Sequence, residues 1–167
     1  MDGELLRIFA ALEESGARYL VVGGVGVVLH GHPRMTADLD LVVQLEPTNA
    51  RVALQVLEGL GYRPRAPVPA VDFADPEKRR QWVEEKGLVV FSLWNPSMPM
   101  TEIDLFVEEP FPFDEAYSRA LVAALGAVEV RVASPEDLVD LKRRAGRPKD
   151  LEDIRALEQI YGKLGPK

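Results

Sequence analysis

The sequence predicts an α+β or two-layer α/β fold, because apolar runs of strand length alternate with segments of helical periodicity along the chain. With 167 residues, the chain has the length of about one domain. Apolar residues make up 47% of the sequence, which is ordinary for a globular protein and sufficient for a sizeable core. We therefore expect residues 1–167 to form a single domain.

The first part of the chain contains three helical patterns and two strand patterns. Leu5, Phe9 and Leu12 share one face of the first helix, and Gly16 is suited to end it. Gly23 and Gly24 interrupt the first strand and lead into a short helix. The predicted helices cover residues 2–15, 25–30 and 47–60, and the predicted strands cover residues 19–22 and 39–43.

The second part of the chain begins with an irregular segment, residues 63–76, which contains four prolines. The short loop over residues 95–99 between the next two strand patterns predicts a β-hairpin. Further on, Ser134 followed by Pro135 and Asp137 is typical of a helix start. The predicted helices cover residues 77–86, 113–125, 135–144 and 149–161, and the predicted strands cover residues 88–94, 101–107 and 128–132.

Composition and charge exclude several classes of protein. The chain has 20 Lys and Arg against 27 Asp and Glu, a net charge of −7, which excludes a generally basic protein that coats nucleic acid. The absence of cysteine excludes disulfides, Cys-zinc sites and thiol catalysis. With only two histidines, any bound metal is held mostly by carboxylates, which suits Mg²⁺, Mn²⁺ or Ca²⁺. The longest uncharged run has 15 residues, too few to span a membrane, so we expect a cytoplasmic protein.

A glycine-rich segment follows the first strand. The dinucleotide-binding fingerprint fails because Leu29 stands where the third small residue is needed, and a Walker A loop fails because His32 and Pro33 follow Gly31. What remains is a strand that ends in Gly23-Gly24 and opens a helix. Such a turn permits close approach of an anion such as phosphate, and it is equally compatible with a tight turn that binds no ligand.

Acidic residues interrupt two apolar strands. Asp38 and Asp40 share one strand face, and Glu102 and Asp104 share one face of a later strand. Because aspartate is depleted in strands, this repetition favours a function, although a solvent-exposed polar strand edge is the alternative. If the strands are neighbours, Asp38, Asp40 and Asp104 form a cluster that can bind two Mg²⁺ ions for phosphoryl or nucleotidyl transfer.

These motifs together resemble the DNA polymerase β-like nucleotidyltransferase superfamily: Gly23-Gly24, thirteen residues, Asp38-Leu39-Asp40, and then Asp104. The longer stretch over residues 22–40 is similar to small prokaryotic nucleotidyltransferases related to abortive-infection and toxin–antitoxin systems. Residues 137–153 resemble their closing motif. The resemblance implies a single nucleotidyltransferase domain, built as a mixed β-sheet flanked by helices, that uses Mg²⁺ or Mn²⁺.

The resemblance also implies residue roles. Asp38 and Asp40 match the metal-binding pair, and Asp104 matches the third carboxylate, which binds the second metal or takes the proton of the acceptor. The residues that match nucleotide-contacting positions are Gly23, Gly24, Arg34, Thr36, Lys142, Arg147 and Lys149. The basic residues from 142 to 149 are also compatible with a solvated helix end or with contact to an RNA backbone.

The expected function is transfer of a nucleoside monophosphate from an NTP to an acceptor hydroxyl, as part of a toxin–antitoxin or abortive-infection system. The acceptor is a tRNA end, a protein or a small molecule; a membrane or an extensive nucleic-acid surface is not expected. Two alternatives remain open: a non-catalytic nucleotide- or partner-binding module, and an antibiotic nucleotidyltransferase. A homodimer or a partner protein is compatible with each of them.

Overall fold

A computed structural model describes residues 3–165 of the chain. The α-helices in this part are α1 (Gly3–Ser15), α2 (Gly23–Leu29), α3 (Pro47–Gly59), α4 (Pro76–Lys86), α5 (Phe113–Ser118), α6 (Pro135–Ala145) and α7 (Pro148–Tyr161). The strands are β1 (Tyr19–Val22), β2 (Leu39–Val43), β3 (Arg63–Pro64), β4 (Val90–Trp94), β5 (Ile103–Phe106), β6 (Leu121–Leu125) and β7 (Val128–Val132). Within these residues, no helix combines the length and the apolar character that crossing a membrane requires.

The strands form one mixed sheet in the order β3-β4-β5-β2-β1-β7-β6. The pairs β2–β5 and β1–β7 are parallel, and the remaining neighbours are antiparallel. The mixed sheet with its flanking helices confirms the predicted α+β fold class. The central position of β2, between β1 and β5, brings the first aspartate motif next to the strand that carries Asp104.

The sheet is buried on both faces near its centre, which explains the continuous apolar run of β1. Tyr19 and Val21 pack in a cluster with α1 and α3, whereas Leu20 and Val22 pack on the opposite face with α6 and α7. Successive strand residues point to opposite faces, so a central strand that is covered on both sides must be apolar at every position. The two clusters hold β2 rigidly at the base of the site.

The prediction of one helix over residues 113–125 is wrong beyond Ser118. Helix α5 ends there, and Leu121–Leu125 form strand β6, an antiparallel partner of β7. Gly126 has a φ of +65°, which opens the tight turn between the two strands. Alternate residues of β6 pack against the core, and this two-residue periodicity prevails over the helical spacing that the small residues also permit.

The other predicted elements agree with the structure within about two residues at most ends. The hairpin prediction is confirmed, because β4 and β5 pair antiparallel. Helix α2 begins at Gly23, two residues earlier than expected. The segment predicted to be irregular contains β3 and a 3₁₀-helix, Ala70–Ala74. The first residue of the predicted helix 2–15 lies outside the described residues.

Candidate active site

Two aspartates lie side by side at the centre of the sheet. Asp40 of β2 and Asp104 of β5 occupy paired positions on parallel neighbouring strands. Both strands alternate, so the residues that flank the two acids, such as Leu39 and Ile103, are fully buried in the core. The alternation leaves the aspartates half-buried on the opposite face, where they line an open cleft.

The environment of this pair opposes its ionisation. Burial raises the pKa of Asp40 to about 6, with further contributions from the negative charges of Asp104 and Asp38. Burial also raises the pKa of Asp104, although a hydrogen bond from Ser92 opposes that shift. Within residues 3–165, no Lys or Arg forms an ion pair with Asp38, Asp40 or Asp104. The site therefore concentrates negative charge without a directly bound cation from the chain.

Asp38 lies one residue before β2 and is exposed. In the part of the chain that the structure describes, no three His, Asp or Glu side chains are close enough together to bind one ion. Asp40 and Asp104 are adjacent, and Asp38 lies near enough to affect the pKa of both. At least one of the three must change its side-chain conformation for all of them to coordinate the same ion.

The two glycines bring the main chain against this site. Gly23 has a φ of +65°, and a Cβ atom there would lie 2.0 Å from Asp40 Oδ2. A Cβ atom on Gly24 would lie 2.5 Å from Thr36 Oγ1 and 2.7 Å from Arg34 Nη2. A side chain at Gly23 would displace Asp40 and would adopt a strained left-handed backbone, and one at Gly24 would require the side chains of Thr36 and Arg34 to move.

The predicted basic residues do not form one free cationic surface. Lys142 of α6 is buried, and its Nζ lies 2.7 Å from Asp153 Oδ2 and 3.7 Å from Asp150 Oδ1. Arg147 donates from Nε to Asp150 Oδ2 at 2.7 Å. Lys149 is exposed at the start of α7. Two bases and two acids, Lys142, Arg147, Asp150 and Asp153, thus form an internal network between α6 and α7.

Arg34 joins this network from the loop that precedes β2. Its Nη2 donates to Asp153 Oδ2 at 2.8 Å, and its Nε lies 2.8 Å from Oδ1 without hydrogen-bond alignment. The same guanidinium packs beside Gly24. Asp153 therefore ties the loop, helix α6 and helix α7 together next to the glycine turn.

The pKa values of the two acids in this network are shifted in the opposite direction from that of Asp40. Although burial alone raises it, the pKa of Asp153 is lowered because Lys142 and Arg34 donate hydrogen bonds and supply positive charge. The pKa of Asp150 is lowered in the same way, chiefly by Arg147. The positive charges of Arg34, Lys142 and Arg147 thus favour the ionised form of both carboxylates.

A cleft of about 840 Å³ opens above the Asp40–Asp104 pair. Its lining includes Leu88 and Val89, which lie between α4 and β4, and Leu138 and Leu141 of α6. Lys142 and Arg147 line it as well. The volume falls in the range typical of small-molecule and cofactor sites.

Sequence reasoning missed two residues of this site. Ser92 Oγ donates to Asp104 Oδ1 at 2.5 Å, because Ser92 pairs with Asp104 across the β4–β5 hairpin. Asp153 is the common partner of Arg34 and Lys142. The hairpin register is a signal that could have found Ser92, whereas the contact between residues 34 and 153 has no local signature.

The fold is that of known nucleotidyltransferases. The lincosamide antibiotic adenylyltransferase LnuA, solved with lincomycin bound, superposes with a TM-score of 0.63 at 18% identity, covering 96% of this chain and 98% of that chain. ANT(2″)-Ia in complex with adenylyl-2″-tobramycin gives 0.63 at 19% identity, covering 95% and 88%. An antigenic nucleotidyltransferase-like protein from Paracoccidioides brasiliensis gives 0.56 at 17% identity, covering 94% and 75%. The class is thus a nucleotidyltransferase fold of the polymerase β-like type.

The family is narrower than the fold. Residues 4–165 match the model of the AbiEii family, described as nucleotidyl transferase AbiEii toxin, type IV toxin–antitoxin system. The chain belongs to this family, which confirms the predicted nucleotidyltransferase and its link to toxin–antitoxin systems. No curated protein matches the chain in sequence. The antibiotic nucleotidyltransferase alternative is less well supported, because it rests on fold likeness alone.

Proposed function

We propose that residues 1–167 act as one Mg²⁺-dependent nucleotidyltransferase domain that transfers a nucleoside monophosphate from an NTP to an acceptor hydroxyl in the cytoplasm. The observation that carries this proposal is the Asp40–Asp104 pair. Its two carboxylates lie on adjacent strands, have raised pKa values and lack an ion-pair partner within the described residues. Two uncompensated acids at the base of a cleft favour an external cation.

The residues present fit a hard divalent cation. Asp38, Asp40 and Asp104 supply only oxygen atoms, the ligands that Mg²⁺ and Mn²⁺ prefer. Asp38 is exposed and free to turn toward the pair. When bound, the metal neutralises the charge that develops on the triphosphate during the displacement.

The chain itself orients the NTP. We assign Gly23 and Gly24 to the triphosphate, because a Cβ atom at either position would displace Asp40, Thr36 or Arg34 and the main chain at Gly23 lies beside Asp40. Arg147 and Lys149 are exposed at the start of α7 and suit phosphate oxygens. Lys142 gives one of its three N–H donors to Asp153 and lines the cleft, so it retains donors for a phosphate. Arg34 and Thr36 lie in the loop that leads to Asp38, and we assign them to positioning this loop beside the nucleotide.

Asp104 acts on the acceptor. The acceptor oxygen attacks the α-phosphorus, the bond from that phosphorus to the bridging oxygen of the β-phosphate breaks, and pyrophosphate leaves. The proton of the acceptor hydroxyl passes to Asp104, and burial raises the pKa of this carboxyl above its ordinary value, which favours its role as a general base. Ser92 fixes the orientation of this carboxylate through its hydrogen bond.

The test uses the full chain with each labelled NTP, Mg²⁺ or Mn²⁺, and three acceptor classes: tRNA, protein and small molecules with hydroxyl groups. We expect label on one acceptor class and release of pyrophosphate, both abolished by Asp40→Asn. A matched control is Asp140→Asn, an exposed acid on α6 that pairs with Arg144. Transfer that persists in Asp40→Asn would contradict the assigned site. NTP binding without transfer to any acceptor would support the non-catalytic alternative.

A second acceptor class has one observation in its favour. Glu108 and Glu109 line the same cleft as Asp104, and acidic side chains favour a cationic acceptor such as an amino sugar. Expression of the chain in a susceptible bacterium distinguishes antibiotic modification from toxin activity. Protection against an aminoglycoside or a lincosamide supports antibiotic modification, whereas slowed growth that Asp40→Asn relieves supports a toxin.

A further inference from the structure

The two edges of the sheet differ in how they are protected. Strand β3, at one edge, has only two residues, one of which is Pro64, and Arg63 beside it is exposed. A short strand with a proline and a charge is a typical device against edge-to-edge pairing. Strand β6, at the other edge, has five residues, Leu-Val-Ala-Ala-Leu, with no charge, proline or glycine. Its Val122 is 43% exposed.

The hairpin geometry defines which backbone groups of β6 are available. Leu125 and Val128 flank the turn Gly126-Ala127, and the positive φ at Gly126 is typical of a two-residue type II′ turn. Residues that flank such a turn form a hydrogen-bonded pair, and these pairs alternate along an antiparallel ladder. Leu121, Ala123 and Leu125 therefore bond to β7, whereas the N–H and C=O groups of Val122 and Ala124 point away from it.

These outward groups have no partner in the described part of the chain. Within residues 3–165, no main-chain or side-chain group bonds to the outer edge of β6 at Val122 or Ala124. Both residues are exposed, and β6 is the last strand of the sheet, with no described strand on its outer side. The free groups lie symmetrically about Ala123.

We propose that β6 pairs with β6 of a second copy of this chain, antiparallel and related by a two-fold axis at Ala123. In this register Val122 faces Ala124 of the other copy and Ala124 faces its Val122, which forms four N–H···O=C hydrogen bonds. Leu121 faces Leu125, and Ala123 faces its own equivalent. Every cross-strand pair is therefore apolar, and the two sheets join into one.

The charges beside β6 agree with this register. On β7, Glu129 pairs with Ala124 and Arg131 pairs with Val122. Each row across the joined sheet thus carries Glu129 from one copy and Arg131 from the other at its two ends, and no like charges fall in the same row. The contact is one strand wide, which places it among weak and transient interfaces, so dimerisation depends on protein concentration.

The register has a direct chemical test, because the natural chain contains no cysteine. The variant Ala123→Cys places two thiols opposite each other in a pair without hydrogen bonds, a geometry close enough for a disulfide. We expect Ala123→Cys to form a covalent dimer rapidly under mild oxidation. The matched control is Ala124→Cys, in which the two thiols lie diagonally across the strands and too far apart to bond; it stays monomeric on the same timescale.

Sedimentation of the cysteine-free chain over a concentration series measures the equilibrium. Ala124→Pro removes an outward N–H from each copy and leaves the bonds to β7 intact, so we expect dimerisation to weaken by at least about tenfold. The control Val71→Lys adds a charge at an exposed apolar residue elsewhere and leaves the equilibrium unchanged. Thermal unfolding and NTP binding of each variant show whether it is folded.

Three results would overturn the proposal. One is a chain that remains monomeric throughout the series, and another is equal cross-linking of Ala123→Cys and Ala124→Cys. The third is a dimer that Ala124→Pro does not weaken, because that dimer uses another surface. None of these outcomes depends on nucleotidyl transfer, so the failure of this proposal and the failure of the proposed function are separate results.

Discussion

Two pairs of aspartates, Asp40–Asp104 on the central strands and Asp150–Asp153 on α7, have pKa values that are shifted in opposite directions. Asp150 and Asp153 are 1% and 2% exposed, yet each has a lowered pKa. Asp40 and Asp104 are less buried, and each has a raised pKa. Burial raises the pKa in all four groups, and the difference lies in their partners. The cations Arg34, Lys142 and Arg147 all bond to the first pair, whereas no Lys or Arg within residues 3–165 forms an ion pair with the second.

The two pairs are expected to affect the stability of the fold with opposite sign. The Asp150–Asp153 pair stabilises the fold because its charges are satisfied by ion pairs within the chain. The Asp40–Asp104 pair destabilises the fold without its ligand, because two like charges sit close together on adjacent strands. Removing an acid from each pair therefore changes stability with opposite sign, which makes the comparison open to direct measurement.

The largest expected change in stability comes from Asp153→Ala. The substitution leaves the buried Lys142 and Arg34 without their shared partner, and we expect a loss of about 3–5 kcal/mol in the free energy of unfolding, measured by denaturant titration. The control Asp140→Ala breaks the exposed pair with Arg144 and costs less than about 1 kcal/mol. Equal losses in the two variants would show that the network has no special role.

The variant Asp40→Asn tests the other pair. It removes an acid that burial and two neighbouring carboxylates disfavour in its ionised form. At pH 8 without divalent metal, we expect the free energy of unfolding to rise by up to about 2–3 kcal/mol while nucleotidyl transfer is lost. A variant that loses both activity and stability would show that Asp40 is stabilised by contacts within the chain instead.

The pH dependence of that gain has a defined sign. Between the ordinary pKa of 3.8 and the folded value of about 6, the unfolded chain has lost the proton of Asp40 while the folded chain retains it. The contribution of this group to stability therefore falls as pH rises through that window. We expect the stability difference between Asp40→Asn and the natural chain to grow from pH 4 to pH 6 and then level off. A difference that is constant with pH would contradict the raised pKa.

Addition of Mg²⁺ distinguishes the two pairs by their need for a ligand. At pH 7.5 and a concentration about ten times its dissociation constant, Mg²⁺ should stabilise the natural chain by about 1.4 kcal/mol in thermal unfolding. The milder variant Asp153→Asn should keep this response and Asp40→Asn should lose it, because only the latter removes a proposed ligand. A chelator reverses the effect. If both variants respond equally, the ion binds elsewhere.

The smallest expected effect comes from Ser92→Ala. Loss of the hydrogen bond to Asp104 leaves this carboxylate free to rotate, and we expect kcat to fall by about tenfold with little change in KM for the NTP. Ser92→Thr retains the hydroxyl and should restore most of the activity. A change confined to KM would assign Ser92 to NTP binding rather than to the orientation of Asp104.

Much of the site followed from local patterns. The strand over residues 39–43 agrees with β2, because one face of that strand is buried and only alternate positions tolerate an acid. The hairpin prediction placed residues 88–94 beside residues 101–107, and the structure adds the register that pairs Ser92 with Asp104. The structure places Asp40 beside Asp104. The roles of all the predicted site residues, these two included, remain proposals, and Asp40→Asn tests one of them.

Other features were beyond local reasoning. The run over residues 121–125 fits a helix and a strand equally well, and only the pairing with β7 and the core beneath it selects the strand. The basic residues near 142–149 were compatible with a triphosphate clamp, with contact to RNA or with a solvated helix end. The structure adds that Lys142 and Arg147 form ion pairs with Asp153 and Asp150, because burial of an unpaired charge is far more costly than an ion pair.

The sequence by itself determined the α+β class, the glycine turn and the acids on two apolar strands, because each depends on a repeat of two or about four residues or on a conformation that only glycine adopts readily. Only the tertiary structure decided which acids are compensated. Arg34 and Asp153 are separated by 119 positions and meet only when loop and helix pack together. Charge balance inside a protein is a property of distances, and those distances exist only in the folded chain.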